Sequence, residues 1–197
     1  MELYPHIVSV LAGYLLGSIP FGLLLAKAAG LGDIRQIGSG NIGTTNVLRT
    51  GRKDIALLTL LLDALKAGAA GLIAAHFFGQ PFGYIAAAAA LFGHCYPVWL
   101  KFKGGKGVAT FFGGLLALAW PAGIAAALTW LATALITKYS SLSALLAAGI
   151  APIVAYVFVG LTAFLMVAFM SCVIYWRHRD NIRRLLRGEE SKIGAKS

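Results

Sequence analysis

Long apolar runs alternate along this chain with short polar blocks. Apolar segments cover positions 3–29, 55–78, 82–100, 142–158 and 161–176. Each lies near the ~20 residues a helix needs to cross a bilayer, some on the short side. A further apolar stretch, 108–136, is too long for one crossing and carries Pro121 near its middle. It reads either as one kinked helix or as two short helices turning at Trp120–Pro121.

The distribution of positive charge decides between those readings. Of 17 lysines and arginines, only Lys66 lies well inside an apolar run. The others fall in or beside four blocks: 27–53, 101–106, Lys138 and 177–196. Two crossings between 108 and 136 give seven spans and place all four blocks on one face. One crossing gives six spans and sends the basic tail to the opposite face. Basic loops stay on the cytoplasmic side, so the pattern predicts seven, with the N-terminus out and the C-terminus in. The 108–119 half is short for a span and needs a thinned bilayer or an interfacial tilt. The predicted fold is an all-α polytopic membrane protein, one integral membrane domain over 1–197, with its chemistry on the cytoplasmic face.

Composition supports this. Hydrophobic residues make up 59% of the 197 positions and charged residues 12%, where soluble domains carry about 25% charged. The net charge of +10 is accounted for by basic loops; no basic face interleaved with aromatics points to nucleic acid. Cys95 and Cys172 lie in apolar surroundings without a CxxC, so no disulfide framework is expected. The first run lacks a basic region ahead of it and does not read as a cleavable signal. Gly13 and Gly17 form a small-xxx-small pair, and 86–90 is a run of alanines; both suit close helix packing. The chain shows no internal repeat of the inverted-transporter kind.

The polar blocks carry the candidate chemistry. The first, over 32–49, contains Gly38, Ser39, Gly40, Asn41, Gly43, Thr44, Thr45, Asn46 and Arg49. Its GxGxxG spacing does not make a dinucleotide site, because no strand precedes it. Glycine-rich backbone can instead turn consecutive N–H groups toward an anion, and Arg49 adds a bidentate fork for phosphate. The plainer reading is a solvated connecting loop. The second block, 94–110, sets Gly104, Gly105 and Gly107 around Lys106 immediately before an apolar helix. That arrangement resembles a phosphate cradle at a helix N-terminus, although it is not a Walker A loop. His94 lies within or at the end of a span, where a polar group needs a partner or a role. The third block, 138–143, offers Ser140 and Ser141 as helix caps. The fourth, 177–192, reads as an interfacial amphipathic helix, which leaves His178, Asn181 and Glu190 unexplained. Asp63 and Lys66, at i and i+3 inside a span, read equally as a structural ion pair or a functional one.

Two phosphate-type loops on one face suggest two phosphates held close together beside the bilayer. The familiar catalytic sets are absent. The seven acids are Glu2, Asp33, Asp54, Asp63, Asp180, Glu189 and Glu190. None follows a histidine at the spacing of an HxxxxD pair, no GxSxG occurs, and neither an acidic cluster for Mg²⁺ nor a His/Cys cluster for zinc is present. The chemistry must then rest on positioning and charge neutralisation.

The blocks GSIPFG (17–22), GSGNIGTTNVLR (38–49), HCYPVW…FKGGKGVAT (94–110), KYSSLS and HRDNIRRLLRGEESK resemble, in order and over nearly the whole chain, the acyl-phosphate-dependent glycerol-3-phosphate acyltransferases of bacteria, the PlsY type. Small departures are Thr44, where alanine is expected, and Glu189 ahead of the family-like Glu190. The resemblance implies a seven-helix enzyme of the inner membrane. It would move a fatty acyl group from acyl phosphate to the 1-hydroxyl of glycerol 3-phosphate, giving lysophosphatidic acid and phosphate, the first step of phospholipid synthesis. It implies no metal, no cofactor and no side chain acting as general base, a phosphate oxygen of a substrate taking the proton. Membrane lipids are the expected surroundings. By motif, Ser39, Arg49, Lys103, Lys106, His178, Asn181, Glu190 and Lys192 would bind glycerol 3-phosphate or its phosphate. Gly38, Gly40, Asn41, Asn46, His94, Gly104, Gly105 and Ser141 would line the acyl-phosphate pocket. The rivals are a small transporter or channel for an organic anion and a Mg²⁺-dependent lipid phosphotransferase.

Overall fold

The computed structural model describes residues 3–194; Glu2 and Lys196 lie outside the described residues. All regular structure among them is helical: α1 (Leu3–Gly17), α2 (Phe21–Ala28), α3 (Thr44–Leu48), α4 (Lys53–Phe78), α5 (Gln80–Cys95), α6 (Val108–Leu118), α7 (Trp120–Thr137), α8 (Ser140–Phe158), α9 (Leu161–Arg177) and α10 (Arg179–Arg187), with 3₁₀ turns at Ile34–Gln36 and Val98–Leu100. Four stretches are long and apolar enough to cross a membrane: Leu3–Ala28 taken across its break, α4, α7 and α8. A fifth is the pair α9–α10, bent by 59°.

Proline sets the breaks. The apolar run 3–29 is interrupted between Gly17 and Phe21 because Pro20 has no N–H and disfavours helical backbone at the residue before it. The carbonyl of Ile19 is thereby released from helix duty. The run 82–100 is helical only to Cys95, since Tyr96 precedes Pro97 and takes an extended φ of −135°. The stretch 108–136 is two helices rather than one kinked one. Ala119 separates them with φ −141° and ψ 58°, and Pro121 sits in the first turn of α7, where its missing N–H costs nothing.

Helix α5 lies at the centre, packed against α1, α4, α6 and α9. The α1–α5 approach explains the small-residue signals. A Cβ on Gly13 or Gly17 would collide with the backbone of Ala86 or Ala90, and one on Gly93 with Tyr14. Helix α6 runs back along α5: the carbonyl of Leu118, at its far end, accepts from Gln80 Nε2 at 3.3 Å and from the Tyr84 hydroxyl at 3.3 Å. The α6–α7 turn therefore sits at the same end of the bundle as the α4–α5 turn. Large apolar side chains such as Phe77, Leu135, Ile136 and Phe158 cover the outside, as a lipid-facing surface requires.

The polar blocks collect at the other end. Thr45 and Ser140 hydroxyls lie 3.5 Å apart, the Arg49 guanidinium donates to Ser191 Oγ at 2.9 Å, and Ile193 N–H donates to the Lys138 carbonyl at 2.7 Å. With the Arg177 guanidinium donating to the Gly104 and Gly105 carbonyls at 2.9 and 3.0 Å, four blocks distant in sequence form one surface.

Candidate active site

The first block owes its shape to Asn46. Its amide donates to the carbonyls of Ile34 (2.7 Å) and Asn41 (2.8 Å), and its Oδ1 accepts from Ser39 N–H at 3.2 Å. The side chain is buried, so Asn46 braces the loop from beneath instead of facing a ligand. Asn41 acts locally, accepting from Gly43 N–H at 3.1 Å. Gly38 has φ 52°, and a Cβ there would come within 2.8 Å of Arg49 and Asn46. Only glycine lets the turn pass this close to the arginine. Gly40 sits exposed in the same turn.

The second block is pinned to the end of α5. Gly104 and Gly105 N–H donate to the carbonyls of Cys95 (3.2 Å) and His94 (3.1 Å). The carbonyls of the same two glycines accept from Arg177, Nη2 to Gly104 at 2.9 Å and Nε to Gly105 at 3.0 Å. Lys106, the next residue, is carried into a cleft.

The fourth block closes that cleft through Glu190. Its Oε1 accepts from Ser141 Oγ (2.6 Å) and Asn181 Nδ2 (2.6 Å), and its Oε2 from Arg184 Nε (2.7 Å). Burial pushes this carboxyl up, but the three hydrogen bonds outweigh it and hold it below the usual carboxylate range. Ser141 is therefore bonded within the protein and tied to the tail.

The resulting cleft has a volume of about 620 Å³. Gly38, Ser39, Arg49, Lys106 and Asn181 line it, together with Arg177, Arg179, Arg184, Asp180, Glu189 and Ser191. Five cations thus face two acids. Burial pushes the Lys106 ammonium down to about 8; Glu190 resists this, while Arg184, Arg177 and Arg49 add to it. An amine of this kind gains on meeting an anion. His178 is buried, with Nδ1 2.8 Å from the Ile174 carbonyl. A carbonyl only accepts, so Nδ1 carries the proton. Burial, then Lys106, pushes the imidazole down to about 4, leaving it neutral at pH 7.

The structure thus brings Gly38, Ser39, Arg49, Lys106 and Asn181 to one cleft, with Glu190 and Ser141 as its clamp. Lys103 is exposed and does not line the cleft. Lys192 is exposed, with its ammonium 5.7 Å from the centroid of the Tyr139 ring. His94 lies under the second loop, its Nδ1 2.8 Å from Lys66 Nζ. The arginines 177, 179 and 184 were not singled out from sequence. Arg184 shares a face of α10 with Asn181, three residues before it, but Arg177 ends α9 across a 59° bend, and the abundance of basic residues in the block masked all three. No group of three or more His, Cys, Asp or Glu that could hold a metal exists among the described residues.

The comparisons with known proteins agree with one another. Residues 7–188 match the model of the glycerol-3-phosphate acyltransferase family. A glycerol-3-phosphate acyltransferase of Maricaulis maris is 58% identical over 184 residues, covering 93% of this chain and 85% of that protein. One of Rhodopseudomonas palustris is 57% identical over 191 residues, 97% of each chain. The crystal structure of PlsY, an integral membrane glycerol 3-phosphate acyltransferase, in its glycerol 3-phosphate form superposes with a TM-score of 0.90. It is 38% identical, with 96% of each chain covered. The lysophosphatidic acid form gives 0.89 at 38% identity, over 96% of this chain and 95% of that one. This membrane chain, with a cationic cleft lined from three of its polar blocks, belongs to the PlsY family of glycerol-3-phosphate acyltransferases.

Proposed function

We propose that this chain transfers a fatty acyl group from acyl phosphate to the 1-hydroxyl of glycerol 3-phosphate in the bacterial inner membrane, on its cytoplasmic face. The observation that carries the reading is the cleft itself, where Arg49, Lys106, Arg177, Arg179 and Arg184 outnumber Asp180 and Glu189. Both substrates carry a phosphate, and two phosphates at close range in a low-dielectric site repel strongly unless cations neutralise them. Ser39 and the glycine loops supply neutral donors beside those charges.

In the reaction, the 1-hydroxyl oxygen attacks the acyl carbonyl carbon, and the bond from that carbon to the phosphate oxygen breaks. The hydroxyl proton passes to a phosphate oxygen, so hydrogen phosphate leaves. The mixed anhydride is already activated, and the charges around Lys106 and the arginines favour the departing phosphate. A dedicated base is then unnecessary, and no metal or cofactor is invoked. The residues expected to hold the two phosphates are Ser39, Arg49, Lys103, Lys106, His178, Asn181, Glu190 and Lys192 for glycerol 3-phosphate. For acyl phosphate they are Gly38, Gly40, Asn41, Asn46, His94, Gly104, Gly105 and Ser141. Contacts internal to the protein favour bracing roles for Asn46, Ser141 and Glu190 within that set, and Lys103 and Lys192, exposed and outside the cleft lining, have the weakest support in it. Seven crossings, N-terminus out and C-terminus in, accompany this reading. They are supported by the four basic blocks at one end of the bundle and the α4–α5 and α6–α7 turns at the other.

The test is acyl transfer by purified protein from palmitoyl phosphate or palmitoyl coenzyme A to radiolabelled glycerol 3-phosphate, with a chelator present. Labelled lysophosphatidic acid from the phosphate donor alone is the expected result. Product only from coenzyme A, or only on adding Mg²⁺, overturns the donor or the mechanism. Glycerol 3-phosphate uptake into vesicles without conversion favours a transporter.

A further inference from the structure

Three ionisable groups sit beneath the second glycine loop, none of them among the residues that line the cleft. Asp63 and Lys66 lie on α4 and His94 near the end of α5; their side chains are 2%, 1% and 4% exposed. Lys66 Nζ donates to Asp63 Oδ1 at 2.8 Å and to the Ile19 carbonyl at 3.0 Å, and lies 2.8 Å from His94 Nδ1. An ammonium has three protons to give and no lone pair, so these three acceptors satisfy it. Nδ1 faces both the ammonium at 2.8 Å and Asp63 Oδ1 at 3.5 Å; the shorter contact is the hydrogen bond, so Nδ1 accepts from Lys66 and the ring proton is on Nε2. The far edge of the ring meets the loop: a Cβ on Gly105 would collide with His94 Nε2.

Charged groups at this depth are costly and persist where they do a task. An ion pair serving only to fill space would be matched by apolar residues of similar volume. This cluster instead joins three elements. Its acceptors are the carbonyl freed at the α1–α2 break, an acid on α4 and a ring on α5. Its fixed ring edge abuts Gly105, whose carbonyl is held from the other side by Arg177 at 3.0 Å. The loop is thus held against the ring at Gly105 and by Arg177 at its carbonyls, directly before Lys106.

We propose that Asp63, Lys66 and His94 form a positioning cluster: Lys66 fixes the tautomer and plane of His94, and His94 is the floor that sets the height of Gly104–Gly107 and so the placement of Lys106. The proposal rests on the reading of the cleft as the phosphate site. It assigns His94 to support of the loop in place of contact with acyl phosphate.

The test is a suppression experiment on the full chain in detergent or nanodiscs. Gly105→Ala drives a methyl into His94, and His94→Ala removes the floor. A displacement near 1 Å at the reacting groups costs on the order of 100-fold, so each single variant is expected to lose about that much kcat/KM. In the double variant the new methyl occupies the space the ring vacated, and about tenfold of activity returns over either single variant. A ring that only fills space predicts that the double variant recovers no further than His94→Ala alone, since the clash vanishes with the ring. Labelling of Lys106 by an amine-reactive reagent, read by mass spectrometry of its peptide, follows the loop independently of turnover. It shifts several-fold in each single variant and moves back toward wild type in the double. If the reading of the cleft fails, wild type gives no product while the labelling pattern persists. If the positioning fails, wild type turns over, but the double variant recovers neither activity nor labelling. Should His94→Ala not be recovered folded, His94→Ser with Gly105→Ala makes the same comparison.

Discussion

Lys106 shows how the fold converts a common residue into a tuned one. Its charge is suppressed by burial and by neighbouring arginines, to about 8, so it is still largely protonated near pH 7 but loses its charge just above. The sign follows directly: a phosphate needs the ammonium, which is present below about 8 and lost above it. kcat/KM for glycerol 3-phosphate is expected to fall by up to about tenfold per pH unit on the alkaline side, since that ratio reports the free enzyme's groups. Lys106→Arg keeps its charge at all these pH values and should flatten that limb. An unchanged alkaline limb in Lys106→Arg would show that another group titrates there. Position matters as much as charge. Lys106→Ala and Arg49→Ala each remove a charged partner of a phosphate, a loss of about 1.5–3 kcal/mol, or roughly 10- to 150-fold. Lys101, exposed in a turn at φ 51°, should tolerate alanine within about twofold. Steady-state rates of the three variants separate them; equal losses would reduce the cleft to a generic basic surface. Sequence exposed Lys106 because it stands among glycines, and Arg49 because it closes a block rich in glycine, asparagine and threonine with few charges. It concealed Arg177 and Arg184, which differ from lipid-facing arginines only in what they meet after folding. His94 was visible as a polar group in an apolar run, but the direction of its ring was not.

Between helices, the decisive connection is the tail that follows α10. Glu190 joins the start of α8, the body of α10 and the tail through three hydrogen bonds of 2.6–2.7 Å. Glu190→Gln leaves Arg184 without its carboxylate and turns part of the amide toward donors it cannot satisfy. The expected cost is about 2 kcal/mol, in the range for a charged hydrogen-bond network. That lowers Tm by about 4–8 °C for a chain of this size. Glu189→Gln, at an exposed position, should shift Tm little. The pH dependence has a definite sign too. Glu190 is held low in the fold, so its contribution is present above the ordinary carboxylate pKa and disappears as pH falls through its folded value. The gap in Tm between wild type and Glu190→Gln should accordingly narrow on acidification. Equal Tm values at neutral pH would rule out the clamp. The boundary at Pro121 was legible, but the one at Pro97 was not drawn, since 82–100 reads as a single apolar run whose helix ends at Cys95, and Pro152 lies inside α8 without ending it. Pro20 carried the same signal within the first run, and its effect on Ile19 became meaningful only once Lys66 was seen to use that carbonyl.

Across the whole bundle, the arrangement of charge and turns makes a topology that labelling can test. The apolar runs and basic blocks were readable because lipid and water sort residues so strongly. The short α6 was the weak point, since its 11 residues rise only about 16 Å. Its contacts answer the difficulty: Leu118 reaches Gln80, one residue past the α4–α5 turn at Gly79. This short helix thus runs alongside α5, itself only 16 residues long, and seven crossings would require the bilayer beside it to thin. Seven crossings predict that single cysteines at Gln80, Trp120 and Leu161 react with a membrane-impermeant maleimide from outside intact cells. Cysteines at Lys101, Lys138 and Arg187 should react only in inverted vesicles. The background would carry Cys95→Ala and Cys172→Ala. Six crossings invert the pattern from Lys138 onward: Lys138 and Arg187 would label from outside and Leu161 from inside. That outcome would separate Arg49 and Lys106 from Arg184 and Glu190 by a membrane, which is incompatible with the 2.9 Å bond between Arg49 and Ser191, and would dismantle the cleft along with the topology.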